Sequence, residues 1–181
     1  MNRTLRLASA VVLLISAAAS AQEPRPDPWA PVRFMAGTWE GTTSGKPGEG
    51  TVKRTYEFVL GNRYLHERNV STYPPQERNP KGEVHEHWSF ISHDRARKVL
   101  VLRQFHVEGF VNQFALDAEL SAPPGKLVFA SEGFENLASS WRARETYQVL
   151  GPDEFTETFE LAAPGKPFEV YGVNRFKRVA R

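Results

Sequence analysis

From Thr38 onward, apolar and polar residues alternate with a period of two, and clusters of Gly, Pro, Asn and Asp interrupt the alternation at short intervals. Gly50–Leu60 shows the pattern: Val52, Tyr56, Phe58 and Leu60 alternate with polar or charged neighbours. Ten strands follow from this reading: 38–44, 50–60, 63–73, 84–92, 98–107, 110–120, 126–132, 141–150, 154–161 and 168–179. Gly61-Asn62, Pro123-Pro124-Gly125, Gly151-Pro152-Asp153 and Pro164-Gly165-Lys166 are the turns between them, because these residues accept positive φ or preset a bend. A polar loop occupies 74–83, and 32–37 has room for one short helical turn. No long helical period appears, so no helix beyond about three turns is expected after the N-terminal segment.

Strands joined in order by short turns predict an all-β, antiparallel, up-and-down barrel of about ten strands. Closure removes exposed edges, and an interior of this size holds one small ligand. An open β-sandwich would need long crossovers that these loops are too short to supply.

The N-terminus changes the charge argument. Arg3 and Arg6 precede an apolar run, Leu7–Ala19, and Ala19-Ser20-Ala21 fits a small-x-small cleavage site. The expected division is a signal peptide over 1–21, a Pro-rich linker over 22–31 and the barrel over 32–181. An uncleaved N-terminal anchor is the other reading of the apolar run, although it is short for a span. The chain has 23 Lys+Arg and 21 Asp+Glu, and cleavage removes two arginines and no acid. The basic balance then disappears, leaving no global reason to expect nucleic acid or a membrane surface as partner. The absence of cysteine excludes disulfides, thiol catalysis and a lipid anchor. The expected location is periplasmic or secreted, with no stable membrane anchor after cleavage.

Gly37-Thr38-Trp39-Glu40-Gly41 resembles the G-x-W opening of calycin barrels, the lipocalins, fatty-acid-binding proteins and nitrobindin-like haem proteins. Leu60-Gly61-Asn62-Arg63-Tyr64-Leu65 is similar to a strand turn in bacterial lipocalin-like domains. The resemblance implies that Trp39 plugs the closed barrel end under a C-terminal arginine, Arg175 or Arg178. It implies a ligand cavity as well. Two family features are missing. Nitrobindin-like barrels ligate haem through a histidine near the C-terminus, whereas the last histidine here is His106. The Arg-x-Tyr pattern of fatty-acid binders is also absent, because Arg175 is followed by Phe176-Lys177.

Four charges fall in rows of large apolar side chains: Glu86 between Val84 and Trp88, Arg103 between Val101 and Phe105, Glu145 between Ala143 and Tyr147, and Glu157 between Phe155 and Phe159. A charge inside a barrel is costly unless paired or wet, so these are either ligand contacts or a buried ion-pair network. The predicted cavity is lined by Tyr56, Trp88, Phe105, Phe114, Trp141 and Tyr147, with Glu86, Arg103 and Glu145 orienting the polar end of a small molecule. Arg142 and Arg144 share one strand face and could clamp an anion or simply be solvated.

His85-Glu86-His87 puts two imidazoles on one strand face about 7 Å apart, and His106 could supply a third ligand to a divalent metal. With Val84, Trp88 and Phe90 inward, His85 and His87 face out. A slip of one residue would bring all three histidines inside and favour a metal or haem reading. No Ser-His-Asp order, phosphate loop, zinc-protease motif or dinucleotide fingerprint is present. The expectation is a lipocalin-like binder with no required cofactor. The alternatives are a metal- or haem-dependent enzyme or sensor at His85/His87/His106, and a structural domain with a filled core.

Overall fold

The computed structural model describes residues 26–77, 79–137 and 140–180. A 3-10 turn, Ala30–Met35, precedes ten strands: β1 Gly37–Gly45, β2 Gly50–Val59, β3 Tyr64–Tyr73, β4 Glu83–Asp94, β5 Val99–His106, β6 Val111–Leu116, β7 Lys126–Glu135, β8 Arg142–Gly151, β9 Glu154–Ala162 and β10 Glu169–Ala180. Each strand pairs antiparallel with the next, and β1 pairs with β10 to close a single barrel. The predicted signal peptide lies outside the described residues. Within the segment read as a linker, Trp29 packs edge-on against Phe58, 5.5 Å between ring centroids.

The seam between β1 and β10 explains one glycine of the opening motif. A Cβ on Gly41 would sit 1.8 Å from the Arg175 carbonyl oxygen, so only glycine lets the two strands close. Gly37 enters β1 at φ 122°, a conformation that L side chains rarely adopt. Between them, Trp39 is fully buried and donates its indole N–H to the Met35 carbonyl at 2.6 Å. Arg178 lies 4.0 Å from the indole ring centroid, a cation–π contact worth about 1 kcal/mol. Its guanidinium also donates to the Phe34 and Ala36 carbonyls, both at 2.6 Å, tying the last strand to the entry turn. Arg175 instead points outward to Glu154.

That end of the barrel is solid. Val32, Met35, Trp39, Phe114, Phe129, Phe155 and Phe176 pack into one apolar cluster. Toward the other end the interior becomes polar and then opens. Two irregularities shape the opening. Opposite β6, Gln113 pairs with Gly133 and Phe114 with Ser131, leaving Glu132 as a bulge. Phe129 is in the core and Phe134, an odd number of residues later, lines the cavity; the bulge makes that parity change possible. A similar shift between Val170 and Gly172 turns Tyr171 toward the mouth.

Strand parity agrees with the sequence on β2, β8 and β9 and differs on β4 and β5. On β4 the inward residues are His85, His87, Ser89 and Ile91; on β5 they are Leu100, Leu102, Gln104 and His106. Glu86, Trp88, Arg103 and Phe105 therefore face outward. Trp88 is 44% exposed and Phe105 45%. The cause is an unusually apolar outer wall. Tyr64, Phe90 and Phe105 form a chain of edge-to-face contacts there, and His66 stacks on Phe90. Arg68 covers the Trp88 ring. A hydrophobicity rule applied to these strands selects the wrong side.

Candidate functional site

The barrel holds a cavity of about 550 Å³ that opens between the turns joining β1–β2, β3–β4, β5–β6, β7–β8 and β9–β10. Its upper wall is largely apolar, with Phe110, Phe134, Leu137, Trp141, Phe159 and Leu161. Its floor is a belt of buried polar side chains that crosses the barrel interior.

Arg54 on β2 anchors the belt. Alternation places it inward between Val52 and Tyr56, and it is almost fully buried. Its Nε lies 2.9 Å from both Glu67 and Asn69, its Nη2 lies 2.8 Å from Glu157, and its Nη1 donates to the Tyr56 hydroxyl at 3.1 Å. The guanidinium also sits 4.5 Å from the Phe176 ring centroid. Burial alone would lower the Arg54 pKa, but the charges of Glu157 and Glu67 raise it well above its ordinary value. Burial pushes the Glu67 carboxyl up, and Arg54 and His87 more than offset that, so its pKa is lowered.

The far half of the belt is a carboxyl pair. Glu145 on β8 accepts from Gln104 Nε2 at 2.8 Å and from the Tyr147 hydroxyl at 3.0 Å, and it shares a hydrogen bond with Glu157 on β9. Desolvation and then the Glu157 charge push the Glu145 pKa well above the carboxylate range. Glu157 goes the other way, down to about 2: desolvation opposes this, and Arg54 and the hydrogen bonds from Glu145, Arg54 and Asn174 overcome it. Burial thus favours a proton on Glu145, and Arg54 favours the negative charge on Glu157.

Beside this floor, His85, His87 and His106 meet. Cross-strand pairing sets His87 directly opposite His106, and the i, i+2 spacing adds His85. Ring centroids lie 5.1–5.6 Å apart. His85 Nδ1 contacts Glu108 at 2.9 Å, His87 Nε2 contacts Glu67 at 3.2 Å, and His106 Nδ1 lies 3.4 Å from His85 Nε2. His106 stacks on Phe110, and burial, then the neighbouring His87 and His85, push its pKa down to about 2. Two buried polar atoms of cavity-lining residues have no partner, His87 Nδ1 and Asn112 Oδ1, and Glu67 Oε2 behind them has none either.

Of the residues proposed from sequence, Glu145 is in the floor and Trp141 at the mouth. Tyr56 and Tyr147 lie beneath the floor and hold Arg54 and Glu145. Phe114 belongs to the solid core below. Glu86, Trp88, Arg103 and Phe105 are on the outer wall, where Glu86 accepts from Trp88 Nε1 at 3.1 Å and Arg103 donates to Ser92 at 3.4 Å. Arg142 and Arg144 both cover the outer Phe168 ring, and Arg144 makes a two-pronged pair with Glu160. Sequence reasoning passed over Arg54, Glu67, Asn69 and Gln104. Arg54 was visible as a charge at the same parity as Val52 and Tyr56. β10 offers the cavity Tyr171, Gly172 and Asn174.

The chain matches no family model and no curated protein. Among solved structures it is similar to the crystal structure of Rv2717c from M. tuberculosis, with a TM-score of 0.59 and 14% identity over 85% of this chain and 98% of that one. It also aligns with a de novo designed fluorescence-activating β-barrel at a TM-score of 0.39 and 15% identity, covering 81% and 94% of the two chains. The first of these supports the ten-strand antiparallel barrel as the fold.

Proposed function

We propose that this chain is an exported, lipocalin-like binder of a small, partly apolar molecule held in the barrel cavity. The observation that carries this reading is the cavity of about 550 Å³, apolar above and ionic below. A volume of that order suits a small organic ligand, and a few fixed polar groups on an otherwise apolar lining are what orient one. A filled structural core would not leave such a space. The floor also favours a kind of polar end. Arg54 holds the Glu67 and Glu157 carboxyls below their ordinary pKa, and two cavity-lining residues, His87 and Asn112, each carry a buried polar atom with no partner. A hydrogen-bond donor is preferred there over a carboxylate. Export rests on Ala19-Ser20-Ala21 and the apolar run before it.

Native mass spectrometry of the protein purified from its own host tests the reading. A bound small molecule is expected, released on denaturation, and Leu161→Trp, which fills the upper cavity, should abolish it. A bare chain mass, with no uptake of apolar fluorescent probes, would leave the structural reading in its place.

A further inference from the structure

We propose that His85, His87 and His106 form a site for a transition-metal dication of the zinc class, with its open coordination position toward the cavity. The inference goes beyond the ligand-binding reading and does not depend on it.

The three residues come from two paired strands, so their backbones are held by the sheet rather than by a loop. One ring nitrogen from each lies within 4.8 Å of the others. His85 Nε2 and His106 Nδ1 are already 3.4 Å apart, close to the roughly 3.3 Å that separates two nitrogens around a tetrahedral zinc with Zn–N bonds of about 2.0–2.1 Å. All three side chains line the cavity, so a fourth position is left to solvent or a bound molecule.

The hydrogen bonds around the cluster choose the nitrogens. An ionised carboxylate can only accept, so His85 donates Nδ1–H to Glu108 and His87 donates Nε2–H to Glu67. The lone pairs left over are His85 Nε2 and His87 Nδ1. Metal-bound histidines are commonly oriented in this way, the distal N–H held by a carboxylate. His87 is 8% exposed and its Nδ1 has no partner. A purely structural cluster leaves that atom unexplained; a metal ligand uses it. His106 Nε2 faces the Asn112 amide at 3.1 Å, and Asn112 Oδ1 is another partnerless atom. Rotating the amide gives up its 3.3 Å hydrogen bond to Gln104 Oε1, turns Oδ1 onto His106 Nε2–H and frees His106 Nδ1 for the metal. Three imidazoles with no first-layer carboxylate exclude calcium and magnesium, which require oxygen, and favour zinc, cobalt, nickel or copper.

A competing group at the mouth, Glu83, His85 and Glu108, shares one histidine and provides the control. The untagged chain is stripped with chelator and titrated with Zn²⁺ or Co²⁺ alone, by calorimetry and by cobalt absorption. One equivalent is expected, with the visible bands of a low-coordinate, nitrogen-rich cobalt site. His106→Ala and His85→Ala should each abolish it, Glu108→Gln should weaken it about 10- to 100-fold, and Glu83→Ala should leave it unchanged. Circular dichroism confirms that each variant is folded, and two independent histidine variants guard against a failure of either. Leu161→Trp should lose organic ligand yet keep the metal, which separates this inference from the cavity reading. No stoichiometric uptake by the folded chain would overturn the proposal. So would uptake that survives His106→Ala and disappears in Glu83→Ala.

Discussion

The wall made of β8 and β9 and the wall made of β4 and β5 treat the same alternation in opposite ways. On β8 and β9 the inner row is apolar apart from Glu145 and Glu157, and the outer row carries Arg144 and Glu160 as a partly buried ion pair. On β4 and β5 the upper inner row is His85, His87, Ser89, Gln104 and His106, while the outer row is Trp88, Phe90 and Phe105. The first wall obeys the rule that the buried side is the apolar side. The second breaks it because it supplies the histidines and part of the polar floor inside and carries aromatic residues outside. Apolar surface in a barrel with an interior site is therefore not a reliable marker of inwardness, and the comparison predicts where substitutions will be felt.

The sharpest test applies one substitution to both sides of the barrel wall. Arg54→Met removes the single cation between Glu67 and Glu157, leaving two buried carboxylates facing each other across the floor. Breaking a buried network from one side costs about 3–5 kcal/mol, because the remaining charge is desolvated and unpaired. Urea unfolding at neutral pH should show a loss of that size or failure to fold. A loss below about 1 kcal/mol would mean that the floor is wet enough to be surface-like.

All ten strands were legible to within a few residues, because the turn-formers that separate them act locally. The largest departure is β6, expected to reach Leu120 but ending at Leu116, where Asp117 caps a turn by accepting from the Leu120 N–H at 2.9 Å. Trp39 under an arginine was legible through a motif whose geometry is itself local. The floor was only partly legible. Glu145 and Glu157 stood out as charges in apolar rows, whereas Glu67 and Asn69 lie in a β3 row too polar to announce its direction. The histidine cluster was named from its spacing but placed on the outer face, because the apolar-side rule set the parity of β4 and β5 off by one residue. The bulge at Glu132 has no counterpart in the alternation that would have disclosed it.

A second test concerns the carboxyl pair on the obedient wall. Glu157, held down to about 2, contributes stability that is present above the ordinary carboxylate value of 4.5 and is lost as pH falls from there toward 2. Glu145 has the opposite sign. Its raised folded pKa favours the protonated form, so its contribution is complete below 4.5 and declines as pH rises toward the folded value. Glu145→Gln keeps an acceptor for Tyr147 and a donor for Glu157, gives up the acceptor that Gln104 uses, and cannot ionise when unfolded. Relative to the native chain its stability should rise with pH above about 4.5, where the native chain must take up a proton on Glu145 to fold. Parallel stability profiles for the two proteins would show that Glu145 is not the protonated partner.

The smallest expected effect is the most informative about parity. Arg103→Met is the same chemical change as Arg54→Met, made on a residue that an apolar-side rule places inside. In the structure Arg103 is on the outer wall, where it donates to Ser92 across a long 3.4 Å contact, and the carboxylate it helps to hold ionised, Glu132, is held chiefly by Arg97. Surface replacements of this kind usually stay within about 0.5 kcal/mol. Ligand capture and metal uptake should be unchanged, since the side chain and the cavity are on opposite faces of β5. Measuring both variants in one unfolding series compares the two faces directly. If Arg103→Met costs as much as Arg54→Met, or abolishes ligand capture, β5 is out of register by one residue and the inward placement of His106 falls with it.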